Sequence, residues 1–311
     1  MNLELFIARR IAHNGSGNRP GVMVRIAVVA VALSVTVMIL ALAVIMGFKR
    51  EITDRVTGFS AQVEVADLRS AGSIESVPVL RSEQLERTIR SAGEVVRLTP
   101  YAVKGGVVKT PDAILGVMLK GVDGGYDWSF FRDHLLEGEL PRVGDSIRTK
   151  EILISRSVAR EMGLVPGDKV EMLFVESEKS PRRDRFKVSG IYATGMDEFD
   201  RSVAMTDLRN VQRLADWSSE EVSGYEVTLA DFLQAEDFSR RLNDMLLDSD
   251  REAFWDLTAR SAQERFPTVF DWLKTHDVNA AVILVIMVVV AVFNMATALL
   301  TLVLELSLIH I

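Results

Sequence analysis

The chain has 311 residues, 48% of them apolar, no cysteine and a formal net charge of −7. The lack of cysteine excludes disulfides, thiolate metal sites and a lipid-modified N-terminal cysteine, and the acidic balance argues against nucleic acid as a partner. The apolar excess lies in two uncharged runs, Ile26–Gly47 and Val278–Leu304, each longer than the roughly 20 residues a helix needs to cross a bilayer.

In chain order, residues 1–25 carry Arg9, Arg10, Arg19 and Arg25 against Glu4 alone. The stretch "MNLELFIARRIA" predicts a short amphipathic helix with Leu3, Phe6, Ile7 and Ile11 on one face, suited to the membrane surface. "HNGSGNRPG" is a breaker-rich link. Basic residues beside a span stay in the cytoplasm. The expectation is therefore a cytoplasmic N-terminus, a first transmembrane helix at 26–47 and an exported region at 48–277. The first run is too long for a signal-peptide core. Its polar groups, Ser34 and Thr36, can bond back to their own helix.

Beyond the span, Phe48, Ile52, Val56 and Phe59 recur at steps of three and four, which predicts an amphipathic stalk. Gly58 offers it a place to stop. "AQVEVAD" alternates and reads as a strand, Ser82–Ser91 as a helix with Leu85 and Ile89 inward. "VVRLTPYAVKGGVVKT" and "AILGVMLKGVD" read as strands. "GVDGGYDW" reads as a tight turn, its acids lacking the EF-hand ligand pattern. "EILISRSVAREMGLVPGDKVEML" predicts strand, helix, turn and strand, the helix starting near Ser155 and ending near Gly163. "ESEKSPRRDR" is expected to be a polar turn between strand Lys169–Val175 and the strand "FKVSGIYAT". "VAMTDLRNVQRLAD" is expected to be a helix capped by Thr206 or Asp207, "VSGYEVTL" a strand and "AEDFSRRLNDMLL" a helix. "RFPTVFDWLKTHDV" predicts a second stalk with Phe266, Val269, Phe270 and Leu273 on its apolar face and Trp272 near the membrane interface; the two stalks are expected to meet. A second span at 278–304 follows, then a short tail at 305–311. The mixture without strict βαβ alternation predicts an α+β domain of two small lobes, inserted between two transmembrane helices with amphipathic stalks.

Catalytic signals are few. His13, His134, His276 and His310 are too far apart to suggest a metal pair, and no P-loop or G-x-S-x-G elbow occurs. No cofactor and no enzymatic activity are expected. Asn294, within the second span, is expected to make an interhelical hydrogen bond, worth about 1 kcal/mol. Arg182 and Arg183 are candidates for contact with an acidic partner.

Taken together, "ELFIARR", a span, "MGFKREITDRVTGF", "LISRSVAREMGLVPGDKVEML" and "VAVFNMATALLTLVLE" resemble the FtsX-like ABC transporter permeases, nearest to the lipoprotein-releasing LolC/LolE group. That resemblance implies four spans with the exported domain between the first two, a second permease copy or homologue, a separate cytoplasmic ATPase, and residence in the bacterial inner membrane. It further implies that motion of the spans and stalks is passed to a periplasmic domain that releases lipoproteins toward a periplasmic carrier. The stalk face Phe48, Ile52, Val56, Phe266, Phe270 and Leu273 would carry the coupling. In that group a protruding hairpin binds the carrier. The matching segment here, "FVESEKSPRRDRF", is short and charged, and Phe174, Pro181, Arg182 and Arg183 are its candidate contacts. "LSLIHI" departs from the group's basic continuation, so the chain is expected to be an N-terminal fragment with a non-native end. A MacB-like exporter, a cell-division FtsX role and a two-span periplasmic sensor or scaffold are the other readings.

Overall fold

The computed structural model describes residues 20–70, 75–111, 113–144, 147–176, 179–196 and 200–308. The amphipathic segment expected at 1–12 lies outside them. The elements in order are α1 (Pro20–Ser60), β1 (Val63–Asp67), β2 (Val79–Leu80), α2 (Glu83–Ser91), β3 (Val95–Lys109), β4 (Ile114–Val122), α3 (Ser129–Asp133), β5 (Leu135–Gly138) and β6 (Glu151–Ser155). They continue with α4 (Arg156–Met162), β7 (Lys169–Glu176), β8 (Lys179–Tyr192), β9 (Val203–Asp207), α5 (Leu208–Ala215), β10 (Glu221–Val222), β11 (Gly224–Leu229), α6 (Ala235–Leu247), α7 (Glu252–Trp255), β12 (Leu257–Ser261), α8 (Ala262–Arg265) and α9 (Pro267–Leu308). The chain packs as two units, one holding residues up to Ile52 and from Thr268, the other Thr53–Pro267.

The first unit is made of the apolar lengths of α1 and α9. Both are long and apolar enough to span a bilayer, and almost none of the residues in their apolar stretches is buried, which suits a hydrocarbon solvent. Two polar groups of α1 are satisfied locally: Ser34 Oγ donates to the Ala30 carbonyl at 3.0 Å and Thr36 Oγ1 to that of Ala32 at 2.7 Å. Val31, Ser34, Val35 and Met38 of α1 line a groove of about 230 Å³ with Met287, Val288, Ala291, Val292 and Met295 of α9. Near the ends of the apolar runs, the Phe48 and Trp272 rings meet edge to face, centroids 5.7 Å apart, and Lys49 pairs with Asp277 at 2.5 Å. The two stalk helices meet here.

The second unit is α+β, and its expected two lobes share one strand. The first half of β3 belongs to an antiparallel sheet in the order β12-β1-β11-β3. α2 and α6 supply Leu85, Ile89, Phe238, Leu242 and Leu246 to its core. The second half of β3 pairs with β4 and, at Val107–Lys109, with β7. The pairings β4–β9, β9–β6, β6–β8 and β8–β7 then close a six-stranded ring. Closure removes the free edges that an open sheet leaves. Leu119, Ile152, Ile154, Met172, Phe174, Phe186 and Val188 fill the ring's core, each at most 1% exposed.

Capping chemistry places the helices where the sequence puts them. Ser82 accepts from Leu85 N–H, Ser155 from Val158 N–H and Asp207 from Arg209 N–H, while Gly163 closes α4 with φ 66°. In "GVDGGYDW", Asp123 Oδ1 accepts from Gly125 N–H at 3.0 Å, which makes the turn. "VAMTD" runs up to the expected cap Asp207 as β9, in parallel pairing with Met118–Val122 of β4. Two expectations need correction. α1 runs unbroken through Gly47 and Gly58 and stops only at Ser60, where Ala61 takes φ 61°. The segment expected as a polar turn is ladder: β8 begins at Lys179, with Arg182 opposite Phe174 and Arg183 opposite Leu173.

Phe174 is the clearest consequence. It is 1% exposed, and its ring stands 2.6 Å from where a Cβ on Gly106 would lie, so the glycine in β3 makes its seat. It cannot form part of a docking surface. We expect Phe174→Ala to cost about 3–5 kcal/mol, the usual range for emptying a buried aromatic site, read as a lowered denaturation midpoint of the full chain. A cost below about 1 kcal/mol would contradict the burial.

Candidate functional site

Within the second unit, the last two turns of α1 are held by side chains from both lobes. A helix ends with carbonyls that have no intrahelical partner, and a buried end must find donors for them. Arg265, at the end of α8, donates from Nη1 to the Ser60 carbonyl at 2.7 Å. Val56 is fully buried and Phe59 nearly so. On the ring side, Arg55 Nη1 donates to the Thr194 carbonyl at 2.7 Å, just beyond β8. That loop is itself fixed by Asp200, which is buried and accepts from Thr194 N–H, Thr194 Oγ1 and Gly195 N–H.

An aromatic cluster receives the helix face. Phe59 lies 6.1 Å from Phe131, which stands edge to face with Tyr192 at 5.1 Å and with Phe130 at 5.4 Å. The Phe130 ring covers Gly58 so closely that an added Cβ would lie 2.3 Å from Cδ2. Gly58 is thus a contact point rather than the stop the sequence suggested.

The sheet side holds a buried charged network that sequence reading missed. Glu64 accepts from Tyr101 Oη at 2.5 Å and from Arg265 Nε at 2.9 Å, with Arg260 at 3.5 Å. On the adjacent strand β11, Glu226 lies opposite Glu64 and pairs with Lys120 of β4 at 2.5 Å, both side chains of the pair under 10% exposed. The Lys120 ammonium also faces the Tyr101 and Tyr126 rings at 5.9 and 5.6 Å, within the range of cation–π attraction. Burial, and then the Glu64 charge, push the Tyr101 phenol well above its usual range, so it stays protonated and donates. Glu64, Tyr101, Lys120, Glu226, Arg260 and Arg265 line a cavity of about 240 Å³, together with Phe59, Ser60 and Phe266. Alternation along β1, β3, β4 and β11 puts the charges on one face, but only the register reveals that they meet.

The other expected residues are placed as follows. Phe48 is exposed apart from its contact with Trp272, Ile52 and Phe266 are half-buried, and Phe270 and Leu273 are buried. Asn294 is exposed and makes no side-chain hydrogen bond among the described residues. Arg182 pairs with Asp216 and donates to the Arg213 carbonyl at 3.2 Å, Arg183 faces Glu171 at 3.6 Å, and Pro181 is exposed. Among the described residues no cluster of His, Asp and Glu could hold a metal.

α1 carries an apolar run long enough to span a bilayer and ends within the α+β unit. Residues 26–245 match the MacB-like periplasmic core domain, and the chain belongs to that family. Among curated proteins it is similar to the lipoprotein-releasing system transmembrane protein LolC of Xylella fastidiosa (strain 9a5c), 26% identical over 272 residues, covering 83% of this chain and 59% of the relative. The LolC of Neisseria meningitidis serogroup B is 24% identical over 269 residues, covering 83% and 60%. The chain thus spans about three-fifths of the length of these relatives. Among solved structures, the periplasmic region of MacB from Actinobacillus actinomycetemcomitans covers 67% of this chain and 92% of its own at 14% identity and TM-score 0.44. The extracellular domain of the noncanonic ABC-type transporter YknZ from Gram-positive bacteria covers 64% and 100% at 15% identity and TM-score 0.41. The family match agrees with the resemblance read from "LISRSVAREMGLVPGDKVEML".

Removing the cation from a buried pair strands its carboxylate. We expect Lys120→Met to lower stability by about 3–5 kcal/mol. Lys120→Met combined with Glu226→Leu should recover most of that loss, because no charge is left unpaired. A double variant no more stable than the single would show that the pair is not a unit. Gly58→Ala should cost about 1–3 kcal/mol through overpacking, with Phe130→Leu relieving it, as read by thermal denaturation.

Proposed function

We propose that the chain is part of the permease subunit of an ABC transporter of the MacB/LolC kind. A separate cytoplasmic ATPase hydrolyses ATP, and the permease, paired with a second copy or a homologue, turns that energy into work in the periplasm. The N-terminus is cytoplasmic and the substrate is a lipoprotein leaving the inner membrane for the outer. The observation that carries this reading is α1: one helix holds both the apolar span and the residues 53–60 anchored in the folded core. A displacement along such a helix is delivered to both lobes at once, through Arg55 on the ring and Ser60 and Arg265 on the sheet. The curated relatives named for lipoprotein release support the substrate class.

In this account Phe48, Ile52 and Val56 of α1, with Phe266, Phe270 and Leu273, form the coupling face. Asn294 offers its amide to a helix from another part of the transporter, and Pro181, Arg182 and Arg183 present the hairpin to a periplasmic lipoprotein carrier.

The test is reconstitution with the ATPase and a lipoprotein substrate in proteoliposomes. Arg55→Ala removes the hold on the Thr194 carbonyl but no apolar core. It should leave ATP hydrolysis within about twofold of wild type while release falls about tenfold, a loss of roughly 1.4 kcal/mol in coupling. Ile52→Asp should behave the same way. Release at the wild-type rate in both variants would refute transmission through α1.

A further inference from the structure

One face of the open sheet shares a core with α2 and α6, and Val63, Val65, Tyr225 and Val227 belong to it. Alternation turns Glu64 of β1 and Glu226 of β11 to the other face. The two glutamates stand in register there, and like charges so placed destabilise a ladder unless cations intervene. Lys120, Arg260 and Arg265 are those cations. Among the described residues, these five are all the charged side chains that line the cavity of about 240 Å³ beneath the end of α1. Three cations against two carboxylates leave one positive charge over.

The surplus falls on Arg260. Lys120 is taken by Glu226 at 2.5 Å. Arg265 donates to Glu64 at 2.9 Å and to the Ser60 carbonyl at 2.7 Å. A guanidinium carries five N–H donors, yet among the described residues Arg260 makes one long contact, to Glu64 at 3.5 Å. Its side chain is 33% exposed, against 9% for Lys120 and 17% for Arg265, so of the three it is the one a molecule arriving from solvent can reach. The rest of the lining is suited to an apolar body: Val103 and Met118 from the sheet, Phe59 from α1, and Phe266.

We propose that this cavity is a binding site for a small organic monocarboxylate with an aromatic-sized apolar body, its carboxylate held by Arg260. A guanidinium grips a carboxylate through two parallel hydrogen bonds. One negative charge balances the site, whereas a phosphate dianion would overshoot it beside Glu64 and Glu226. An apolar cavity of about 150 Å³ already admits benzene, so about 240 Å³ has room for a ring and a short acid arm. The occupant would touch Phe59 and Ser60, at the anchored end of α1. The inference does not rest on the transport reading, because binding is measured without ATPase, nucleotide or lipoprotein.

The experiment is calorimetric titration of the full chain in phosphatidylcholine nanodiscs with hydrocinnamate, empty nanodiscs giving the baseline. Wild type should bind with a Kd at or below about 1 mM and melt at a higher temperature in the presence of the acid. Hydrocinnamyl alcohol, which keeps the ring and loses the charge, should bind at least about tenfold more weakly, and inorganic phosphate should not compete. Arg260→Gln should lose about tenfold in affinity while melting close to wild type without ligand, since Glu64 keeps Tyr101 and Arg265. Arg240→Gln, on exposed α6 surface, should bind as wild type does. No binding of the acid by wild type, equal binding of acid and alcohol, or unchanged affinity in Arg260→Gln would each overturn the proposal. Displacement of hydrocinnamate by phosphate would overturn it too and assign the cavity to a phosphate group. The acid–alcohol comparison is made on wild type, so it decides the matter even if Arg260→Gln does not fold.

Discussion

A helix that carries an apolar span into a folded core has to satisfy its terminal carbonyls there. In this chain that requirement organises the centre of the domain. The Ser60 carbonyl needs a donor, and Arg265 is that donor. A guanidinium so placed needs a counter-charge, and Glu64 provides it from β1. Glu64 in turn is shared with Tyr101 of β3 and Arg260 of β12. Three strands of the open sheet are thereby tied to one helix terminus, and the buried network follows from the way α1 ends.

β3 has an equivalent role for the two lobes. Its first half is sheet and its second half is ring wall, so neither lobe can shift far without bending one strand. Gly106 lets the Phe174 ring close over that strand, filling the ring where a side chain from β3 would otherwise stand. The domain is consequently two cores with a common wall.

Much of this was legible in the sequence where signals are local. The spans follow from length and lack of charge, α2, α4 and α5 from their caps, and β3, β4 and β11 from β-branched and aromatic runs. What escaped has long-range causes. Ahead of the Asp207 cap, "VAMTD" becomes strand by pairing with β4. "SPRRDR" reads as a loop tip because charge usually marks solvent, yet alternate residues turn Asp184 and Phe186 inward. β12 carries no strand signal in the sequence, because "LTARS" has little apolar character and its pairing with β1 is long-range. The charged network was invisible for the same reason: Glu64, Tyr101, Lys120 and Glu226 are far apart in the chain, and each alone is an ordinary strand residue.

The pairing of β1 sets a condition on how the domain is made. Gln62, just ahead of β1, accepts from the Leu229 N–H across 167 residues, and Glu64 meets Arg260 across 196. At synthesis rates of about 5–20 residues per second, the first strand waits roughly ten seconds or more for its partners to be made. Its edges stay open throughout that interval, beside an apolar helix already suited to the bilayer. Maturation of this domain therefore depends on timing, because β1 has no sheet partner until β11 and β12 have been made.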